Sequence, residues 1–151
     1  MFTLVPVNFF DPSTARNALL EVGVPGGSDR IEYKELPAYG AYIVYTVPDG
    51  ASAPPGILDI LDHLHQCPEY NKVLCSWQDG TLSLAVAQGR SLLLANEYSA
   101  PDFVTAQYYI FLAVKSLQLN PEVTVICFRH SLSGQQELEL YKYFKAVEIL
   151  S

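Results

Sequence analysis

The stretch 72-KVLCSWQDGTLSLAVAQGRSLLLANEYSAPDFVTAQYYIFLAVKSLQLNPEVTVICF-128 decides the fold of this 151-residue chain. Lys72 to Trp77, Leu82 to Gln88 and Ser91 to Asn96 are β-rich runs separated by turn signals at Asp79-Gly80 and Gly89, so they are expected to pair as an antiparallel meander. Val73, Cys75 and Trp77 share one face of their strand, as do Leu82, Leu84 and Val86 of the next, while Ser76 and Ser83 point the other way. Pro101 to Leu117 then reads as a helix. Phe103, Ala106, Ile110, Ala113, Val114 and Leu117 form its apolar stripe, and Tyr108, Tyr109, Phe111 and Leu112 make the remainder apolar too, which predicts burial on most sides. Asn120-Pro121 ends that helix. Val123 to Phe128 follows as a β-branched run suited to a strand covered on both faces and reached by a right-handed crossover.

Beyond this stretch, Gln135 to Lys145 is expected to be a last helix with Leu138, Tyr141 and Phe144 inward, and Val147 to Leu150 a closing strand. Before it, Phe2 to Val5 is a short strand. Asp11 caps and Pro12 opens a helix carrying Ala15, Ala18, Leu19 and Val22, which the Gly23 to Gly27 segment stops. Ile31 to Leu36 alternates apolar and charged residues as an outer strand does, whereas Ala41 to Val47 is nearly all apolar and reads as interior. Asp49 to Gly56, with Gly50, Ser52, Pro54 and Pro55, is the best linker, leading into a helix from Ile57 to about His65. The expected division is therefore 1–66 and 67–151.

Composition narrows the function classes. Nine basic and sixteen acidic residues give a net charge of −7 without a Lys/Arg cluster, which argues against nucleic acid as a direct partner. No apolar run approaches the ~20 residues that span a bilayer, so no membrane partner is expected. Met1 to Phe10 lacks a basic stretch and contains Pro6 and Asn8, unlike a targeting signal. The three cysteines, Cys67, Cys75 and Cys127, are irregularly spaced, which fits a reducing cytoplasmic setting.

Three strands, a helix and a parallel fourth strand resemble the opening of a ribonuclease-H-like domain. The phrases Phe2-Thr3-Leu4-Val5-Pro6, Glu35-Leu36-Pro37, Pro68-Glu69-Tyr70-Asn71, Ala87-Gln88-Gly89, Leu92-Leu93-Leu94-Ala95-Asn96 and Gln118-Leu119-Asn120-Pro121-Glu122-Val123, with Leu140 to Lys145, resemble an uncharacterised bacterial family of unknown function. That resemblance implies an α/β, actin-like ATPase fold: one complete ribonuclease-H-like domain preceded by part of a related one. It marks no chemistry. Relatives of this kind look longer at the N-terminus, which implies that a first phosphate loop lies outside this chain.

Asp79-Gly80-Thr81 occupies the turn where actin-like ATPases hold a second phosphate loop. A Gly lets backbone N–H groups approach phosphate, while Asp and Thr can hold a metal and donate a hydroxyl. The simpler reading is a hairpin turn. Ser131 to Gly134 stands where nucleotide-binding relatives offer a Gly-rich loop to the adenosine, and Ser133 and Gly134 are its candidates, although an ordinary N-cap also explains them. His63, His65 and Cys67 alternate, but positions i and i+2 of a helix point apart, so no metal is expected there. Ser76, Ser83, Ser131 and His130 form no nucleophile motif. Tyr108, Tyr109, Tyr141, Tyr143 and Phe144 suggest a contact patch shared between core and interface.

The leading expectation is a non-catalytic protein that binds or assembles, a homo-oligomer without a cofactor. The rival is an ATP- and Mg-dependent kinase of small metabolites. A remnant without activity of its own is a third possibility.

Overall fold

The computed structural model describes residues 2–20, 22–23, 30–47 and 56–150. Most of the expected Gly23 to Gly27 stop and Asp49 to Gly56 linker lies outside them. The chain divides into two compact units, Met1–Leu58 and Asp59–Ser151. That division falls inside a helix, α2 (Gly56–His63), and not after it. The carboxylate of Asp59 accepts from Arg129 Nε at 2.8 Å, which joins this part of the helix to the second unit.

In the first unit, β1 (Phe2–Pro6), β2 (Arg30–Leu36) and β3 (Ala41–Val47) form a sheet in the order β1-β3-β2, antiparallel throughout. The apolar strand is central and the charged one lies at the edge, as alternation predicts. Asp11 accepts from the Ser13 amide at 3.0 Å, opening a 3-10 turn that runs into α1 (Ala15–Leu20). Ala15 and Leu19 bury against Val44. Val22, expected on this helix, lies beyond its end at Leu20 and is exposed.

The second unit is a five-stranded sheet in the order β6-β5-β4-β7-β8. The strands are β4 (Asn71–Gln78), β5 (Thr81–Gln88), β6 (Ser91–Ser99), β7 (Val125–Phe128) and β8 (Ala146–Ile149). β4, β5 and β6 make the antiparallel meander, and β7 and β8 add in parallel. α3 (Phe103–Ser116) and α4 (Gly134–Tyr141) connect β6 to β7 and β7 to β8. Val73, Cys75, Leu82, Leu84, Val86, Ile126 and Phe128 project into one core with Ala106, Ile110, Ala113 and Val114 of α3. Ser76 and Ser83 face each other in register and are also buried.

Two expectations about the helices need correction. α3 is not buried on most sides: Val104, Tyr108 and Leu112, spaced four apart, are 74%, 61% and 47% exposed. One sheet face and one neighbouring helix cannot cover a whole helical circumference. α4 stops at Tyr141 and leaves Leu138 and Tyr141 exposed, while Phe144 alone of the expected trio is buried with Leu140. The chain turns there because the Tyr143 and Phe144 amides both donate to Leu140 O, at 3.0 and 2.9 Å.

Candidate functional site

Parallel β4, β7 and β8 end on the same side of the five-stranded sheet, and every candidate loop follows one of those ends. Crevices beyond the carboxyl ends of parallel strands are the usual binding places of α/β sheets. After β4 comes Asp79-Gly80. Both residues have left-handed backbone, φ +52° and +73°, which is the two-residue turn that fits the twist of a hairpin. Gly80 O accepts from the Ala100 amide at 2.8 Å, and Ala100 O accepts from Trp77 Nε1 at 2.8 Å. Trp77 packs edge-on against Phe103 with ring centroids 5.6 Å apart. The turn is thereby fixed to the start of α3, while Asp79 and Thr81 remain exposed.

After β7, Ser133 caps α4 in a reciprocal box. Its hydroxyl accepts from the Gln136 amide at 3.1 Å, and its own amide donates to Gln136 Oε1 at 2.9 Å. Gly134 opens the helix, and a Cβ built on it meets nothing within 4 Å, so no close backbone approach requires glycine there. Asp79, Gly80, Thr81, Ser133 and Gly134 thus share one end of the sheet. Asp102 caps α3 beside them, and hydrogen bonds from Thr105 hold its carboxyl below the ordinary value.

A cavity of about 430 Å³ lies between the first turns of α3 and α4. Phe103 and Val104 form its apolar side, and Gln107, Ser133, Gln136 and Glu139 its polar side. Gln107 Nε2 is buried there without a hydrogen-bond partner. No sequence signal pointed to Gln107, because a lone amide in an apolar helix has no motif. Arg129 was likewise missed. It donates to both carboxylate oxygens of Asp59, at 2.8 and 3.3 Å, and to Leu150 O at 2.8 Å, holding α2, β7 and the end of β8 together.

The remaining candidates fall apart spatially. His63 Nδ1 lies 2.7 Å from Asp59 O in its own helix, whereas His65 sits in the following turn. Among the described residues no His, Cys, Asp and Glu gather into a metal-sized group. Cys67 and Cys127 hydrogen-bond through their thiols, which lowers the first below its usual value and raises the second. Burial pushes Cys75 up. No described helix is long and apolar enough to cross a membrane.

An apolar ridge runs along the exposed side of α3. Tyr108 meets Tyr109 at 5.4 Å, and Tyr109 stacks on Tyr98 of β6 at 4.5 Å, so the exposed ridge of α3 continues to the edge of the sheet. On the other flank Phe111 meets Tyr143 at 4.9 Å and stacks on buried Phe144 at 5.6 Å.

The model of a family described as "Protein of unknown function (DUF3822)" matches residues 57–147. Among solved structures, the chain is similar to a Bacteroides thetaiotaomicron protein with actin-like ATPase fold and unknown function. The two are 18% identical with a TM-score of 0.75, over 99% of this chain and 64% of that one. This chain therefore spans just under two thirds of that relative's length. At this identity the likeness shows the fold, which is the actin-like ATPase fold. No curated protein matches the sequence.

Proposed function

This chain belongs to the DUF3822 family of unknown function, and we propose that it acts there by binding and assembly instead of turning over a nucleotide. The observation that carries this reading is the outward stripe Val104, Tyr108 and Leu112 on α3, which the fold leaves uncovered. Contiguous exposed apolar surface on a soluble chain is characteristic of a contact site. The loops support the same reading. Ser133 has both its hydroxyl and its amide engaged by Gln136, and the Asp79-Gly80 geometry is that of a hairpin closing two strands. A phosphate clamp needs backbone donors that are free and converge.

One observation favours the rival. Asp79, Gly80, Thr81, Ser133 and Gly134 lie at one end of the sheet, as an ATP- and Mg-dependent kinase of small metabolites would have them. On our reading the partner is a second copy, and three free cysteines favour a cytoplasmic setting. Light scattering coupled to size exclusion tests it. At ~100 µM, well above micromolar dissociation constants, the mass is expected to be that of a dimer or larger, and Tyr108→Asp should lower it. A monomer mass at that concentration would refute assembly.

A further inference from the structure

β6 is an unusual sheet edge for a soluble protein. Among the described residues it pairs only with β5, and its nine residues, Ser91–Ser99, hold one charge, Glu97, and no proline. The other edges are guarded in different ways. β2 carries Arg30, Glu32, Lys34 and Glu35; β1 ends in Pro6; β8 has four residues. Charge, proline and shortness are the devices that keep edges from pairing with another chain, and β6 has little of any of them.

The hydrogen-bond phase identifies which of its groups face outward. Ala100 N donates to Gly80 O, which makes that pair hydrogen-bonded. Alternation along the β5–β6 register then makes Leu82↔Tyr98 and Leu84↔Asn96 hydrogen-bonded, and leaves the N–H and C=O of Ala95, Glu97 and Ser99 directed away from β5. An independent contact agrees: the Glu97 amide donates not to β5 but to Asn96 Oδ1, at 2.9 Å. A register irregularity opposite Val86/Ala87 bends only the start of the strand, and Leu94 to Ser99 runs regularly.

We propose that β6 pairs antiparallel with β6 of a second copy about a two-fold axis at Asn96, joining two five-stranded sheets into one. This rests on the assembly reading above and names its contact. Centred at Asn96, Ala95 and Glu97 of one copy meet Glu97 and Ala95 of the other, so outward N–H and C=O groups meet in hydrogen-bonded pairs. Leu94 meets Tyr98, an apolar cross-strand pair on the face covered by α3. The next register, centred at Glu97, sets two carboxylates opposite each other and is disfavoured. A second copy fits this strip because its one charge, Glu97, falls opposite Ala95 in this register, and because Tyr98, Tyr109 and Tyr108 extend the contact onto the ridge of α3. Pairing displaces the Asn96 side chain from the Glu97 amide, so Asn96 acts as a brake.

The test uses the full chain with two variants of opposite expected sign. Ala95→Pro removes an N–H that β5 does not use and should weaken the dimer roughly tenfold or more, with the circular dichroism of the folded protein retained. Asn96→Val frees the Glu97 amide and should tighten it roughly threefold or more. Hydrogen exchange supplies an independent readout, since the amides of Ala95 and Glu97 should slow as concentration rises. A wild-type dimer unmoved by both variants, with those amides exchanging fast, would overturn the β6 contact while leaving assembly intact. A wild-type monomer would overturn both.

Discussion

Phe128→Ala is expected to destabilise the second unit by about 3–5 kcal/mol, the range for emptying a well-packed aromatic site. Phe128 is 1% exposed, pairs with Cys75 on one side and Ile149 on the other, and faces the core beneath α3 and α4. At roughly 4–8 °C per kcal/mol for a domain of this size, melting should fall by more than about 10 °C. Differential scanning calorimetry reads the shift. A change below about 3 °C would mean that β7 is not the buried interior strand described here.

Arg129→Ala should cost about 2 kcal/mol, between the value of an exposed pair and that of a buried one. Arg129 is 15% exposed, but its partner Asp59 is 42% exposed, so solvent screens part of the attraction. Three donors are lost together: two to the Asp59 carboxylate and one to Leu150 O. Urea denaturation should show the loss, and Arg129→Lys should recover less than half, because an ammonium cannot span both carboxylate oxygens and the carbonyl. Full recovery by lysine would reduce the role of Arg129 to its charge. Since the pair is partly exposed, 1 M salt should shrink the effect.

The parts of the fold legible in the sequence were those where local and tertiary preferences coincide. Asp79-Gly80 names its own turn, and Val125 to Phe128, buried throughout, can be little other than an interior strand. Legibility failed where burial depends on what lies opposite. α3 is apolar around its whole circumference, so periodicity could not reveal that Val104, Tyr108 and Leu112 face outward. β6 was expected to end at Asn96 but continues to Ser99, because an edge strand tolerates the polar Asn96 and Glu97 that interior strands exclude. Val123 lies in a 3-10 turn and not in β7, since Asn120 accepts from the Glu122 amide and Thr124 closes on Asn120 O. At the candidate site, Asp79 to Thr81 and Ser133 to Gly134 were visible as turn and cap chemistry. Gln107 and Arg129 acquire meaning only through groups distant in sequence.

Titration of the full chain with ATP and Mg²⁺ by calorimetry bears most directly on whether this actin-like fold binds and assembles or turns over a nucleotide. The expected result is no saturable heat corresponding to a dissociation constant tighter than about 10 µM, roughly −7 kcal/mol, because the hydroxyl and amide of Ser133 are already engaged by Gln136. Saturable binding tighter than that, weakened by Asp79→Ala, would contradict it and place a working nucleotide site at the ends of β4 and β7.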